Sequence, residues 1–89
     1  MKKSGITELR LEIDAVDEKL IRLLAERQRL VETIITVKHK EGMPARIPAR
    51  VDYVIDRAHR LDPALAEAIW TEMVEWFVAH EERVLDMKQ

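Results

Sequence analysis

Residues 6–41 read ITELRLEIDAVDEKLIRLLAERQRLVETIITVKHKE, with neither proline nor glycine. Apolar residues fall at Ile6, Leu9, Ile13, Val16, Leu20, Leu23, Leu30, Ile34 and Val37, in alternating steps of three and four. That period marks a helix seam built to meet another helix. One slot breaks it: between Leu23 and Leu30 stands Arg27. At 1.5 Å per residue such a helix is about 54 Å long, whereas a compact chain of this size has a radius of gyration of about 12 Å. The seam stays apolar at both ends, so something beyond the rest of the chain has to cover it. A second copy, related by a two-fold axis and with the shorter helices packed over both seams, is the simplest cover. A monomer whose helix folds back near Arg27 to Arg29 would need a breaker residue, and none stands there.

Gly42 and Pro44 end this run, and Met43 to Ile47 reads as a loop. A second helix is predicted from Pro48 to Arg60, with Val51, Val54, Ile55 and Ala58 inward and Asp52, Asp56, Arg57 and Arg60 outward. A third is predicted from Pro63 to Lys88, capped by Asp62, with an apolar stripe of Leu65, Ile69, Met73, Trp76, Phe77, Val84 and Leu85. The fold class is all-α: three helices, the first very long, in an intertwined helical-bundle homodimer. The length of 89 residues suits a single domain over 1–89.

Composition narrows the function classes. There is no cysteine, so a disulfide framework, a thiolate metal site and a thiol nucleophile are all excluded. Lys and Arg number 15 against 17 acidic residues, a net charge of −2, the wrong sign for a general nucleic-acid binder. No apolar run approaches a membrane span, and Met1 to Gly5 leads directly into charged sequence without a signal-peptide core. The expectation is a soluble, cytoplasmic protein. Asp56-x-x-His59 has a metal-like spacing, but bundle di-metal sites need more carboxylates, and His39, His59 and His80 lie on three different elements.

Charge is unevenly placed. Residues 38–60 carry Lys38, Lys40, Arg46, Arg50, Arg57 and Arg60 against Glu41, Asp52 and Asp56, whereas residues 62–82 carry six acids and no Lys or Arg. Two oppositely charged elements with solvated faces account for most of this, at little energy per pair. Arg27 is different, because a cation in an apolar seam is costly unless paired. It reads either as a structural ion pair that sets register or as a contact for an anionic ligand. Lys38 stands eleven residues further on, which is about 16 Å along the helix and within about 20° of the same face. Both side chains can converge on one small anion. Arg10 is about 25 Å from Arg27 and about 100° round the cylinder, out of reach within one chain but within reach of the partner's site in an antiparallel dimer. Glu81 projects from the apolar side of the third helix, beside Phe77, Val78, Val84 and Leu85. It reads either as a neutral, hydrogen-donating carboxyl or as the partner of Arg27 or Lys38.

These residues resemble the AroQ class of chorismate mutases and the similar isochorismate-pyruvate lyases, over nearly the whole chain. The resemblance rests on LRLEIDAVDEKLIRLLAERQRLV with Arg10 and Arg27, on Lys38, on RIPARV with Arg50, and on LDPALAEAIWTEMVEWFVAHEE. It implies an intertwined dimer with two sites, each using Arg10 of one chain and Arg27, Lys38, Arg50 and residue 81 of the other. The implied substrate is a small dicarboxylate, and the implied reaction converts chorismate to prephenate with no cofactor and no metal. Arg10, Arg27 and Arg50 would clamp carboxylates, while Lys38 and residue 81 would donate to the ether oxygen.

Three positions depart from the commonest mutase pattern. Glu81 stands where glutamine is usual, and a glutamate donates only when protonated. Ile47 and Val51 stand where many mutases carry an aspartate and a glutamate that contact the ring hydroxyl. An isochorismate-pyruvate lyase yielding salicylate and pyruvate is therefore the alternative enzyme. A non-catalytic dimerisation module is the alternative outside catalysis, and Arg27 in the seam argues against it.

Overall fold

The absence of breakers before Gly42 and the prolines at 44, 48 and 63 divide the chain into three helical stretches. The computed structural model describes residues 5–87 and contains α1 (Ile6–Glu41), α2 (Pro48–Ala58) and α3 (Pro63–Met87). No strand occurs among the described residues, and none of these helices is long and apolar enough to cross a membrane. The expected end of the third helix, Lys88, lies outside the described residues.

Local chemistry explains each boundary. Gly42 adopts φ +69°, the left-handed conformation that glycine enters without a Cβ penalty. Two bonds close the end of α1 there: Met43 N–H donates to the Lys38 carbonyl at 2.9 Å, and Gly42 N–H to that of His39 at 3.4 Å. Pro48 opens α2, where its missing N–H costs nothing. The α2 helix stops at Ala58, two residues before the expected Arg60, because His59 and Leu61 donate to the carbonyls of Asp56 and Ala58 and tighten the chain into turns. Asp62 caps α3 as expected, its Oδ1 accepting from Ala64 N–H at 3.0 Å and Leu65 N–H at 3.2 Å.

Contacts divide the chain into two units, one through Glu32 and one from Thr33. The first consists of the N-terminal part of α1. Its seam residues are open to solvent in the single chain, from Ile6 at 61% exposure to Leu30 at 60%, and Leu11, Ile21 and Leu24 expose further apolar surface off the seam. Val31 is its one buried residue among those described. The second unit holds the end of α1, α2 and α3, with a core of Ile35, Ala45, Ala58, Ala66, Val74 and Val78. The α2 face follows the expected alternation, Ala58 being buried and Asp52, Asp56 and Arg57 exposed.

The buried face of α3 differs from the expected stripe. Ala66, Val74, Val78 and Glu81 are buried, whereas Leu65, Ile69 and Trp76 are about half exposed. Apolar residues stand on nearly every side of this helix, so periodicity alone does not select a face. Packing selects the small one: α2 and α3 are in contact, and Ala58 and Ala66 let two backbones approach closely. Ile34 and Val37 are exposed, as expected of a seam that the rest of the chain leaves uncovered, and Ile35, at 1%, turns into the core.

Nothing lies within 4 Å of a Cβ built on Gly42, so a side chain there meets backbone strain and no clash. Gly42→Ala is expected to lower unfolding free energy by about 1 kcal/mol. Gly42→Asn, better suited to the left-handed region, loses less, and urea denaturation of the two variants measures the difference.

Candidate active site

Lys38 stands in the last turn of α1, three residues after Ile35, the largest fully buried side chain among the described residues. An ammonium brought there has to find acceptors in place of water. It finds two. Lys38 Nζ donates to the Ala45 carbonyl at 2.7 Å and to Glu81 Oε1 at 2.8 Å. The side chains are 12% and 10% exposed, so the pair is largely removed from solvent. Of the two sequence readings of Glu81, pairing with Lys38 is the one observed. Glu81 is also the one polar residue buried among those described.

The arithmetic of donors gives the pair its chemical potential. An ammonium has three N–H groups and two are engaged, so one is left for a further acceptor. Glu81 Oε2 accepts no hydrogen bond among the described residues. The arrangement therefore suits an oxygen that gains negative charge.

The other expected residues stand differently. Arg50 lies on the exposed side of α2, its guanidinium 5.0 Å from the ring centre of Tyr53. Arg10 is exposed and Arg27 half-buried along α1 in the first unit. Ile47 and Val51 are both half-buried. A cleft of about 530 Å³ opens beside Lys38, and its lining includes Glu82 and Asp86. Two carboxylates make that cleft a poor seat for a dicarboxylate. Neither Glu81 nor Arg50 lines it.

Two features lay outside the sequence reading. The Ala45 carbonyl is a backbone acceptor, for which no residue type gives a signal. Arg46 pairs with Glu75 through both terminal guanidinium nitrogens, at 3.1 and 2.5 Å. The opposite charges of α2's leading loop and α3 foretold that attraction in kind but not in register. The Arg46 hydrogen bond holds the Glu75 carboxyl below its ordinary range, and Glu75 holds the guanidinium above its own.

Removing one member of a buried pair strands the other. Lys38→Met or Glu81→Leu alone is expected to cost about 3 kcal/mol of stability, and the double variant less than the sum of the two. A double-mutant cycle in urea measures the coupling, and strict additivity would show the pair to be energetically idle.

A family model described as chorismate mutase type II matches residues 9–82, which include Arg10, Arg27, Lys38, Arg50 and Glu81. The chain is 29% identical over 90 residues to a chorismate mutase of Methanocaldococcus jannaschii, covering 94% of this chain and 91% of that protein. It is 31% identical over 88 residues to a 4-amino-4-deoxychorismate mutase of Streptomyces venezuelae, covering 97% and 85%. A bifunctional chorismate mutase/prephenate dehydratase of Aquifex aeolicus is 39% identical over 57 residues, and there the match spans 64% of this chain and 16% of the longer protein. No solved structure gives a significant match. With the family model covering most of the chain and the buried Lys38–Glu81 pair lying inside the match, the chain belongs to the type II chorismate mutase family.

Proposed function

We propose that this chain is a chorismate mutase, a single cytoplasmic domain acting as a homodimer that rearranges chorismate to prephenate. The observation that carries the reading is the Lys38–Glu81 pair, 2.8 Å apart, in which Lys38 keeps a third N–H to donate, within a family-matched sequence. The reaction is unimolecular: the ether C–O bond breaks as a C–C bond forms, and no atom is gained or lost. It needs no nucleophile, so catalysis consists of positioning and electrostatic stabilisation.

Each residue has a role that its chemistry supports. The forks of Arg10 and Arg27 pair with the two carboxylates and hold the enolpyruvyl arm over the ring, and Arg50 reinforces the anion site. Lys38 places its third N–H on the ether oxygen, where negative charge grows as the bond breaks. Glu81 donates to the same oxygen only in its protonated form, in which its contact with Lys38 is a hydrogen bond and not an ion pair. Half-buried Ile47 and Val51 give the ring an apolar wall where other members carry acids. Arg10 comes from the second copy, since on one helix it stands about 25 Å from Arg27. The exposed seam of α1 supports that second copy.

Mixing chains tests the shared site. Arg10→Ala and Arg27→Ala homodimers are each expected to lose nearly all turnover. After unfolding and refolding together in equal amounts they regain about a quarter of the wild-type sites, because half the dimers are mixed and each carries one intact site. If the two arginines serve the same site from the same chain, mixing restores nothing.

The Glu81 donor gives a second expectation. A glutamate donates only while protonated, so turnover of chorismate by the wild type falls as pH rises. Glu81→Gln carries a permanent donor, and its profile is expected to be flat and its turnover near about pH 8 equal to or above the wild type's. An inactive Glu81→Gln at every pH removes Glu81 from the donor role and leaves the ether oxygen to Lys38 alone.

A further inference from the structure

Arg46 and Arg50 are one helical turn apart in sequence, and the structure uses them in opposite ways. Arg46 spends its fork on the Glu75 carboxylate. Arg50 meets no carboxylate among the described residues, and its one recorded contact is the face of Tyr53, 5.0 Å from guanidinium carbon to ring centre. Tyr53 stands three residues after Arg50, on the same side of α2. Arg57, four residues further on, rests against the same ring at 5.6 Å and donates to the Tyr53 hydroxyl at 3.4 Å.

The difference matters for binding an anion. A carboxylate partner holds an arginine by consuming its N–H donors, and an incoming anion then has to displace it. An aromatic face holds the guanidinium through its plane and consumes none of the five N–H groups. The ring restricts the side chain before ligand arrives, which reduces the ordering cost of binding. Arg57 steadies the ring from its far end through the hydroxyl. Nothing in the family pattern quoted above involves position 53.

We propose that Tyr53 is a positioning residue that holds the Arg50 guanidinium ready for a substrate carboxylate while leaving its donors open. This rests on the mutase reading of the site. Tyr53 touches no reacting atom, and its effect runs through Arg50 alone.

The test is a double-mutant cycle on the full chain with chorismate as substrate. Tyr53→Leu, which keeps an apolar side chain but removes the ring, lowers kcat/KM about three- to fivefold, mainly through a higher KM, as expected for an exposed cation–π contact. Tyr53→Phe, which keeps the ring, restores most of the loss. In an Arg50→Ala background, Tyr53→Leu changes kcat/KM by less than about 1.5-fold, because the group it positions is gone. The ring-current displacement of the Arg50 Nε–H resonance, present in wild type and Tyr53→Phe and lost in Tyr53→Leu, reports the contact without turnover. A Tyr53→Leu loss of equal size with and without Arg50, or a Tyr53→Leu variant with wild-type KM, overturns the proposal while leaving the mutase reading intact. A wild type that does not turn over chorismate at all overturns the mutase reading, and the proposal with it.

Discussion

The Lys38 ammonium, held between the Ala45 carbonyl and Glu81, is the contact on which the second unit is organised. It ties three pieces of chain together: the end of α1, the loop after Gly42 and the last third of α3. The backbone of the same residue also closes its helix, since the Lys38 carbonyl receives the Met43 N–H across the left-handed turn at Gly42. That turn redirects the chain so that Ala45 returns to the lysine. The loop conformation and the direction of the ammonium are thus one constraint. A buried ion pair seldom adds much net stability over apolar residues of the same shape. Its value here is specificity: an unpaired Lys38 or Glu81 in that place is costly, so alternative registers of α1 against α3 are disfavoured.

The surface charges act on a smaller scale. Arg46 and Glu75 form a two-pronged pair in good geometry but about half exposed to water, where such pairs contribute little. Because the Glu75 carboxyl titrates below its ordinary range in the folded chain, its contribution is present above a pH of about 4.5 and is lost as pH falls through the lowered value. Arg50 and Arg57, resting on Tyr53, keep their charge available to solvent.

What the sequence disclosed and what it withheld follow from the physics of each feature. Helix ends were legible because they depend on residue types with strong local preferences: Gly42 at a left-handed position, Pro48 and Pro63 in first turns, Asp62 as a cap. The length of α1 was legible because nothing in it could break a helix. Glu81 was legible as an acid on an apolar face. The buried face of α3 was not, since Leu65, Ile69 and Trp76 are more hydrophobic than the Ala66 that is buried in their place. Hydrophobicity ranks residues by transfer energy, but the contact between two helices is decided by how closely their backbones can approach. The role of the Ala45 carbonyl was invisible for a simpler reason: a main-chain acceptor has no residue identity.

The exposed seam on α1 has a consequence for how stability is stored. A helix standing by itself gains little, because nucleation is costly and propensity contributes only tenths of a kcal/mol per residue. Ile6, Leu9, Ile13, Val16, Leu20 and Leu23 of the first unit are all exposed in the single chain. In the proposed dimer those side chains become the core, at about 25 cal/mol for each Å² of apolar surface covered. Folding of the N-terminal part of α1 is then inseparable from association, and the midpoint of unfolding rises with protein concentration. Arg27 interrupts that core at one slot. In the proposed dimer it would lower the affinity of an unbroken seam and fix the register in which the two copies meet. The same register would bring Arg10 of one copy to the site of the other, so in that dimer a single costly residue would serve both assembly and the binding of an anion.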